Sequence, residues 1–421
     1  RQQLHRLAAE WYEATFDGHA RLAPFYPLLV YHYRLAEDPV NERRYARLAG
    51  EHAARQFANG EAVMYLSRAL DLAPSDANRE RFELLLVRER VFDVQADRVS
   101  QQQDLAELEA LAALLNDAVA QAGVALHKAR CLEYLGDFGL AFASVEQGLR
   151  YAPPGALEAV ALKIMGAGLH HRQGRHREAL DWCQEALAAP GLPPVHHMRA
   201  HAESLAGLIL TYMGRLGDAL ESLQLALNQY LQLEELPGQF DTSSNLGLAL
   251  FMRAGPRDWT QAYAHLHQAQ ALAERMSDSE RLARISTNLG WLSYCLGDAE
   301  QAIEHYTYSL QAWTVSGGRV MSAIVRTNLG AAELAHGDAR KAQTLLNEAA
   351  AALEETGASG QLAETRRYVA QAYLATGDLM AASEAAESAL ALARAAEAPL
   401  DEAGTQRVLG QIALATGELE V

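Results

Sequence analysis

Three asparagines recur at one register of the sequence. Asn245, Asn288 and Asn328 each stand two residues before a glycine (Gly247, Gly290, Gly330), and each follows a hydroxyl residue, Ser244, Thr287 or Thr327. A side-chain amide offers both a donor and an acceptor, so such a ladder suits hydrogen-bonded recognition. Acid–base catalysis needs groups that titrate, which amides do not. A second cluster, His170, His171, His176, His196, His197 and His201, gathers six of the 15 histidines in a short stretch. His197 and His201 are four apart and share a helix face, a spacing used by helical metal sites. No defined third ligand follows, because Cys183 belongs on the intervening helix. The expectation is therefore no metal, with His197 and His201 as the weak candidate pair. The other readings are a run of partly exposed histidines on neighbouring helices and a pH-sensitive patch, since imidazole titrates near neutrality.

Motifs for covalent and phosphoryl chemistry are missing. There is no GxxxxGK[ST] phosphate loop, no Gly-Lys pair, no GxSxG elbow and no HExxH pair. Carboxylates are abundant but fall on solvent stripes of helices. The chain is expected to be no enzyme and to need no cofactor. With 36 basic against 53 acidic residues and a net charge of −17, it repels phosphate backbones, which argues against a nucleic-acid partner. Cys131, Cys183 and Cys295 lie far apart and are expected as buried small apolar residues in a reducing compartment. No apolar run reaches the roughly 18 residues of a membrane helix. We expect a cytoplasmic chain, monomeric as an isolated fragment, with no membrane partner. The opening Arg1 also suggests an excised piece of a longer protein.

The elements that position these residues are a repeat. Glycine turns recur at Gly136-Asp137, Gly174-Arg175, Gly214-Arg215, Gly297-Asp298, Gly337-Asp338, Gly377-Asp378 and Gly417-Glu418, with a looser one at Gly255; successive spacings are 38, 40, 41, 42, 40, 40 and 40 residues. A small residue precedes each turn (Ala129, Ala167, Gly207, Gly247, Gly290, Gly330, Ala370, Gly410), and an alanine follows most of them (Ala141, Ala179, Ala219, Ala262, Ala302, Ala342, Ala382). Small residues at fixed places let two helices approach closely. Apolar residues between them run at helical spacing, as in Leu282, Ile285, Leu289 and Leu292. Looser turns at Pro153-Pro154-Gly155, Pro190 to Pro194, Pro237-Gly238, Ser316-Gly317-Gly318 and Gly357 to Gly360 lead to the next pair. About 80 alanines against about 24 valines and isoleucines exclude a large sheet. The fold class is all-α: a right-handed solenoid of antiparallel helical hairpins.

This pattern resembles the tetratricopeptide repeat, whose first helix and turn are similar to Leu289-Gly290-Trp291-Leu292-Ser293-Tyr294 followed by Gly297-Asp298. The repeat is about six residues longer than the usual 34, similar to a long-helix variant found in signalling adaptors. The resemblance implies that the asparagine register faces a concave groove, where the amides hold the backbone of an extended peptide. Carried over residue by residue, it adds Asp241, Leu248, Phe251, Arg284, Trp291, Tyr294 and Leu334 to Ser244, Asn245, Thr287, Asn288, Thr327 and Asn328. Aromatic anchors, charge and hydrogen bonding together suit a recognition surface. The other reading stays open: an asparagine can bond the neighbouring hairpin and fix the stacking angle, and Trp291 can be core.

Residues 123–421 are expected to be regular repeats and 1–122 divergent ones. The N-terminal stretch, Leu4-His5 to Tyr12-Glu13, Tyr26-Pro27-Leu28-Leu29, His32-Tyr33, Leu48-Ala49-Gly50-Glu51 and Tyr65-Leu66-Ser67-Arg68-Ala69-Leu70, resembles the segment after the ATPase module in bacterial STAND-type signalling ATPases, including cyclase-fused ones. In that family the array is a C-terminal sensor. The resemblance implies a ligand-sensing arm that binds a protein or peptide in its groove; the alternative is a constitutive scaffold that holds partner subunits and senses nothing.

Overall fold

The computed structural model describes residues 1–16, 18–95, 97–153, 155–253, 256–276, 278–396 and 398–417. The turn at Gly255, Pro154 and the end Glu418–Val421 lie outside the described residues. All described elements are helices, and consecutive ones pack as antiparallel hairpins. Contacts divide the chain into two compact units, Arg1–Cys131 and Leu132–Val421.

In the second unit each hairpin has a first and a second helix: Leu157–Arg172 with His176–Leu187, His197–Tyr212 with Leu216–Gln232, Leu236–Arg253 with Pro256–Met276, Ser279–Cys295 with Ala299–Ser316, Arg319–His336 with Ala339–Thr356, and Leu362–Thr376 with Leu379–Ala395. Phe138–Tyr151 precedes these pairs and Pro399–Thr416 follows them.

The Gly-Asp pair makes the hairpin turn in two or three residues. Gly297, Gly337 and Gly377 have φ of +87°, +105° and +85°, the left-handed end of a helix that side chains disfavour. The aspartate that follows caps the next helix. Asp298 accepts from the Gln301 amide at 3.0 Å, Asp338 from Lys341 at 3.0 Å and Asp378 from Ala381 at 3.1 Å, each satisfying an orphan donor.

The small markers mark close packing. Ala141, Ala179, Ala219, Ala262, Ala302, Ala342 and Ala382 have no accessible surface. A Cβ on Gly207 would lie 2.5 Å from Leu223 Cγ, and one on Gly330 would lie 2.6 Å from Leu346 Cγ. The first helix therefore needs no side chain where the second helix's leucine fills the space.

The first unit uses the same turn without the glycine. Glu37, Phe57 and Asn116 take φ of +52°, +57° and +49°, and Asp38, Asp97 and Asp117 still cap the helices that follow. Ala62 is fully buried at its alanine position, but Gln101 replaces the next alanine and donates to the buried Glu89 carboxylate at 2.7 Å.

Candidate functional site

Residues two before the marker glycines point to one side of successive first helices in the second unit. Asn245, Asn288 and Asn328 are all half-buried there. Asn288 Nδ2 donates to Ser244 Oγ on the preceding first helix at 2.7 Å. Among the described residues the side chains of Asn245 and Asn328 have no hydrogen-bond partner, so their amides remain open to one.

The neighbouring hydroxyls turn the other way. Ser244, Thr287 and Thr327 are 2%, 8% and 4% exposed. Thr287 donates to the Ala283 carbonyl at 3.1 Å and shares a 2.8 Å bond with Ser309. Thr327 donates to Ala323 at 3.1 Å and meets Thr365 of the next first helix at 3.0 Å. One residue along a helix is a rotation of about 100°, which carries these hydroxyls from the open face into the packing. The sequence placed them beside the asparagines; the fold places them beneath.

Charged and aromatic members pair between adjacent hairpins. Asp241 and Arg284 form a 2.7 Å ion pair, and the Arg284 guanidinium lies 5.4 Å from the Phe240 ring centre. Trp291 meets Phe251 edge-on at 4.9 Å. Trp291 and Tyr294 are half-buried and border a core cluster that includes Tyr306 and Trp313, while Phe251 borders the preceding one. Leu248 and Leu334 are also half-buried.

No family model matches the sequence, and no curated protein does. Solved structures do. A Rap protein complexed with Competence and Sporulation Factor superposes with a TM-score of 0.57 at 15% identity, covering 85% of this chain and 98% of that one. A signal transduction ATPase with numerous domains, a STAND protein with a tetratricopeptide repeat sensor from Pyrococcus horikoshii, gives 0.50 at 14% identity over 89% of this chain. This chain spans 58% of that protein's length.

The fold is that of a tetratricopeptide-repeat solenoid.

On this solenoid the open face carries more than the sequence singled out. Tyr212 keeps 44% of its surface accessible, yet burial pushes its phenol up to about 12. The Glu364 side chain is 42% accessible, and burial likewise raises its carboxyl, partly offset by Arg367. Cys295 was expected to be buried like Cys131 and Cys183. It is exposed instead, with its thiol pushed up to about 11, chiefly by burial. Glu364 and Asp401 raise the Tyr212 phenol further, and Arg367 lies against Tyr368 at 4.2 Å and Glu364 at 3.3 Å. These residues come from helices far apart in sequence, and nothing local marks them.

The histidine cluster splits: His197 and His201 are exposed, while the others enter the packing in part or in full. His170 and His171 are buried, not partly exposed, and His171 Nδ1 lies 3.3 Å from His176 Nδ1. Burial lowers all three, His171 to about 3, so these imidazoles stay neutral near pH 7. His196 caps its helix through the Met198 amide at 3.2 Å. Among the described residues no three His, Cys, Asp or Glu side chains gather as metal ligands around His197 and His201 or elsewhere. No described helix is long and apolar enough to cross a membrane.

Proposed function

We propose that the solenoid captures a protein or peptide segment on the inner face of its first helices, centred on Asp241 to Leu334. The observation that carries this reading is the pair of open amides: Asn245 and Asn328 occupy equivalent places on the face with no partner among the described residues. An amide there can donate to and accept from an extended backbone. Asn288 serves the same strand with its carbonyl oxygen, oriented by Ser244 from beneath. Phe251, Trp291 and Tyr294 supply apolar contact. Thr287 and Thr327 hold the helices that carry the amides, and the Asp241–Arg284 pair offers either charge to a side chain of the ligand.

The finer reading is that this solenoid is the sensing arm of a STAND-type signalling ATPase, acting in the cytoplasm. Residues 1–122 then lie on the side of the ATPase module and 123–421 form the sensing array. A solved tetratricopeptide sensor within a STAND protein supports it through shared fold alone. Signalling requires the ligand to bind one arrangement of arm and ATPase more tightly than the other, because equal affinity shifts nothing.

Affinity capture from a host lysate tests the site. The chain with Asn245, Asn288 and Asn328 all changed to Ala should keep its helical circular dichroism and lose the partner that the native chain retains. Equal capture by both would remove the inner face from the account.

A further inference from the structure

Within the second unit, segments far apart in sequence meet edge to edge. Tyr134 Oη donates to the Ser316 carbonyl oxygen at 2.7 Å, across 182 residues. Beside it, Gly136 sits so close to Thr356 that a Cβ on the glycine would lie 2.5 Å from Thr356 Cγ2. Next along, Gly360 abuts the backbone of another hairpin turn. A Cβ on Gly360 would lie 2.6 Å from the Arg172 carbonyl oxygen and 2.8 Å from the Gly174 nitrogen. A Cβ on Gly174 would in turn lie 3.2 Å from both Gly360 Cα and Ala396 Cβ. Hairpin turns at 134–136 and 172–174 are thus seated on the loops at 316–318 and 356–360, several hairpins later.

These contacts form a seam. Through them one edge of the ribbon of hairpins rests on the other. The accessible yet desolvated Tyr212, Glu364 and Cys295 fit a bore walled on all sides. Glycine at 360 is what permits the backbone-to-backbone contact, since any side chain there meets backbone that cannot swing aside.

We propose that the seam makes the inner face a closed bore, so that its ligand is a single extended peptide that enters by a free end. A surface loop of a folded protein, or a ring-closed peptide, has no free end and must bring two strands through the same opening. This inference rests on the inner-face reading above and narrows its ligand class.

The probe is a short peptide selected from a free-ended random library on the native chain and retained only if binding needs Asn245 and Asn328. It is then titrated in linear and head-to-tail cyclised forms against the native chain and against Gly360→Leu, which prises the seam apart. The native chain should bind the linear form tighter by about tenfold or more, and Gly360→Leu should bind the two alike. If Gly360→Leu does not fold, Gly360→Ala and Tyr134→Phe provide the opened seam. Equal affinity of the native chain for both forms overturns the closed bore and leaves the inner-face reading standing. A selection that yields no asparagine-dependent peptide overturns both.

Discussion

Asn288 Nδ2 and Ser244 Oγ lie 2.7 Å apart and join the first helices of two adjacent hairpins. The middle rung of the asparagine ladder is therefore partly structural, whereas the rungs on either side are open. Removing the Asn288 amide leaves Ser244, only 2% exposed, without that donor. Asn288→Ala should lower unfolding free energy by about 1 kcal/mol. Asn245→Ala and Asn328→Ala should stay within about 0.5 kcal/mol of the native chain. Urea unfolding of the three variants decides it, and equal losses would deny the distinction.

The marker glycines divide by what a methyl group would meet. At Gly207 a Cβ would collide with Leu223 at 2.5 Å, whereas at Gly410 nothing lies within 4 Å. Gly207→Ala should cost about 1–3 kcal/mol by overpacking. Gly410→Ala should gain about 0.5–1 kcal/mol from helix propensity. Opposite signs at equivalent positions are the outcome to look for in thermal melts.

Fold and site were unequally legible in the sequence. Gly297-Asp298 and its counterparts showed because the turn and the cap occupy adjacent residues and recur. The first unit was fainter because Glu37, Phe57 and Asn116 adopt the left-handed turn without glycine. Thr287 and Thr327 looked like members of the face because sequence adjacency does not report a helical rotation; burial does. The seam was illegible, since Tyr134 and Ser316 are 182 residues apart and carry no motif. His171 looked like a titrating group because nothing local announces its burial.

That burial has a pH consequence. His171 is held neutral with its pKa lowered to about 3, chiefly by burial, beside His176, Arg172 and Tyr212. The unfolded chain binds a proton there below its ordinary value near 6.5 and the folded chain does not. Stability therefore falls as pH drops from about 6.5 toward 3, by about 1.4 kcal/mol per pH unit for one such group. Glu364 and Asp401, whose carboxyls are raised, act in the opposite sense in the acid range. The comparison with His171→Phe isolates the histidine: its stability should fall less between pH 6.5 and pH 5 in denaturant titrations, and an unchanged slope would refute the assignment.

The caps offer a check on the repeat itself. Asp338 accepts from the Lys341 amide at 3.0 Å, so Asp338→Ala should cost about 1 kcal/mol. The turn at Arg215, where no side-chain cap bond forms, should tolerate Arg215→Ala with a smaller loss. Paired urea titrations compare them, and the reverse ranking would contradict the role given to the aspartates.

The central claim is that open amides on the inner face hold an extended backbone. Isothermal titration of a peptide selected on the native chain addresses it directly, using Asn245→Ala/Asn328→Ala beside the native protein. The account predicts a loss of about fivefold or more in affinity, two hydrogen bonds at about 0.5–1.5 kcal/mol each, with thermal stability unchanged. Undiminished affinity in the folded double variant would contradict it.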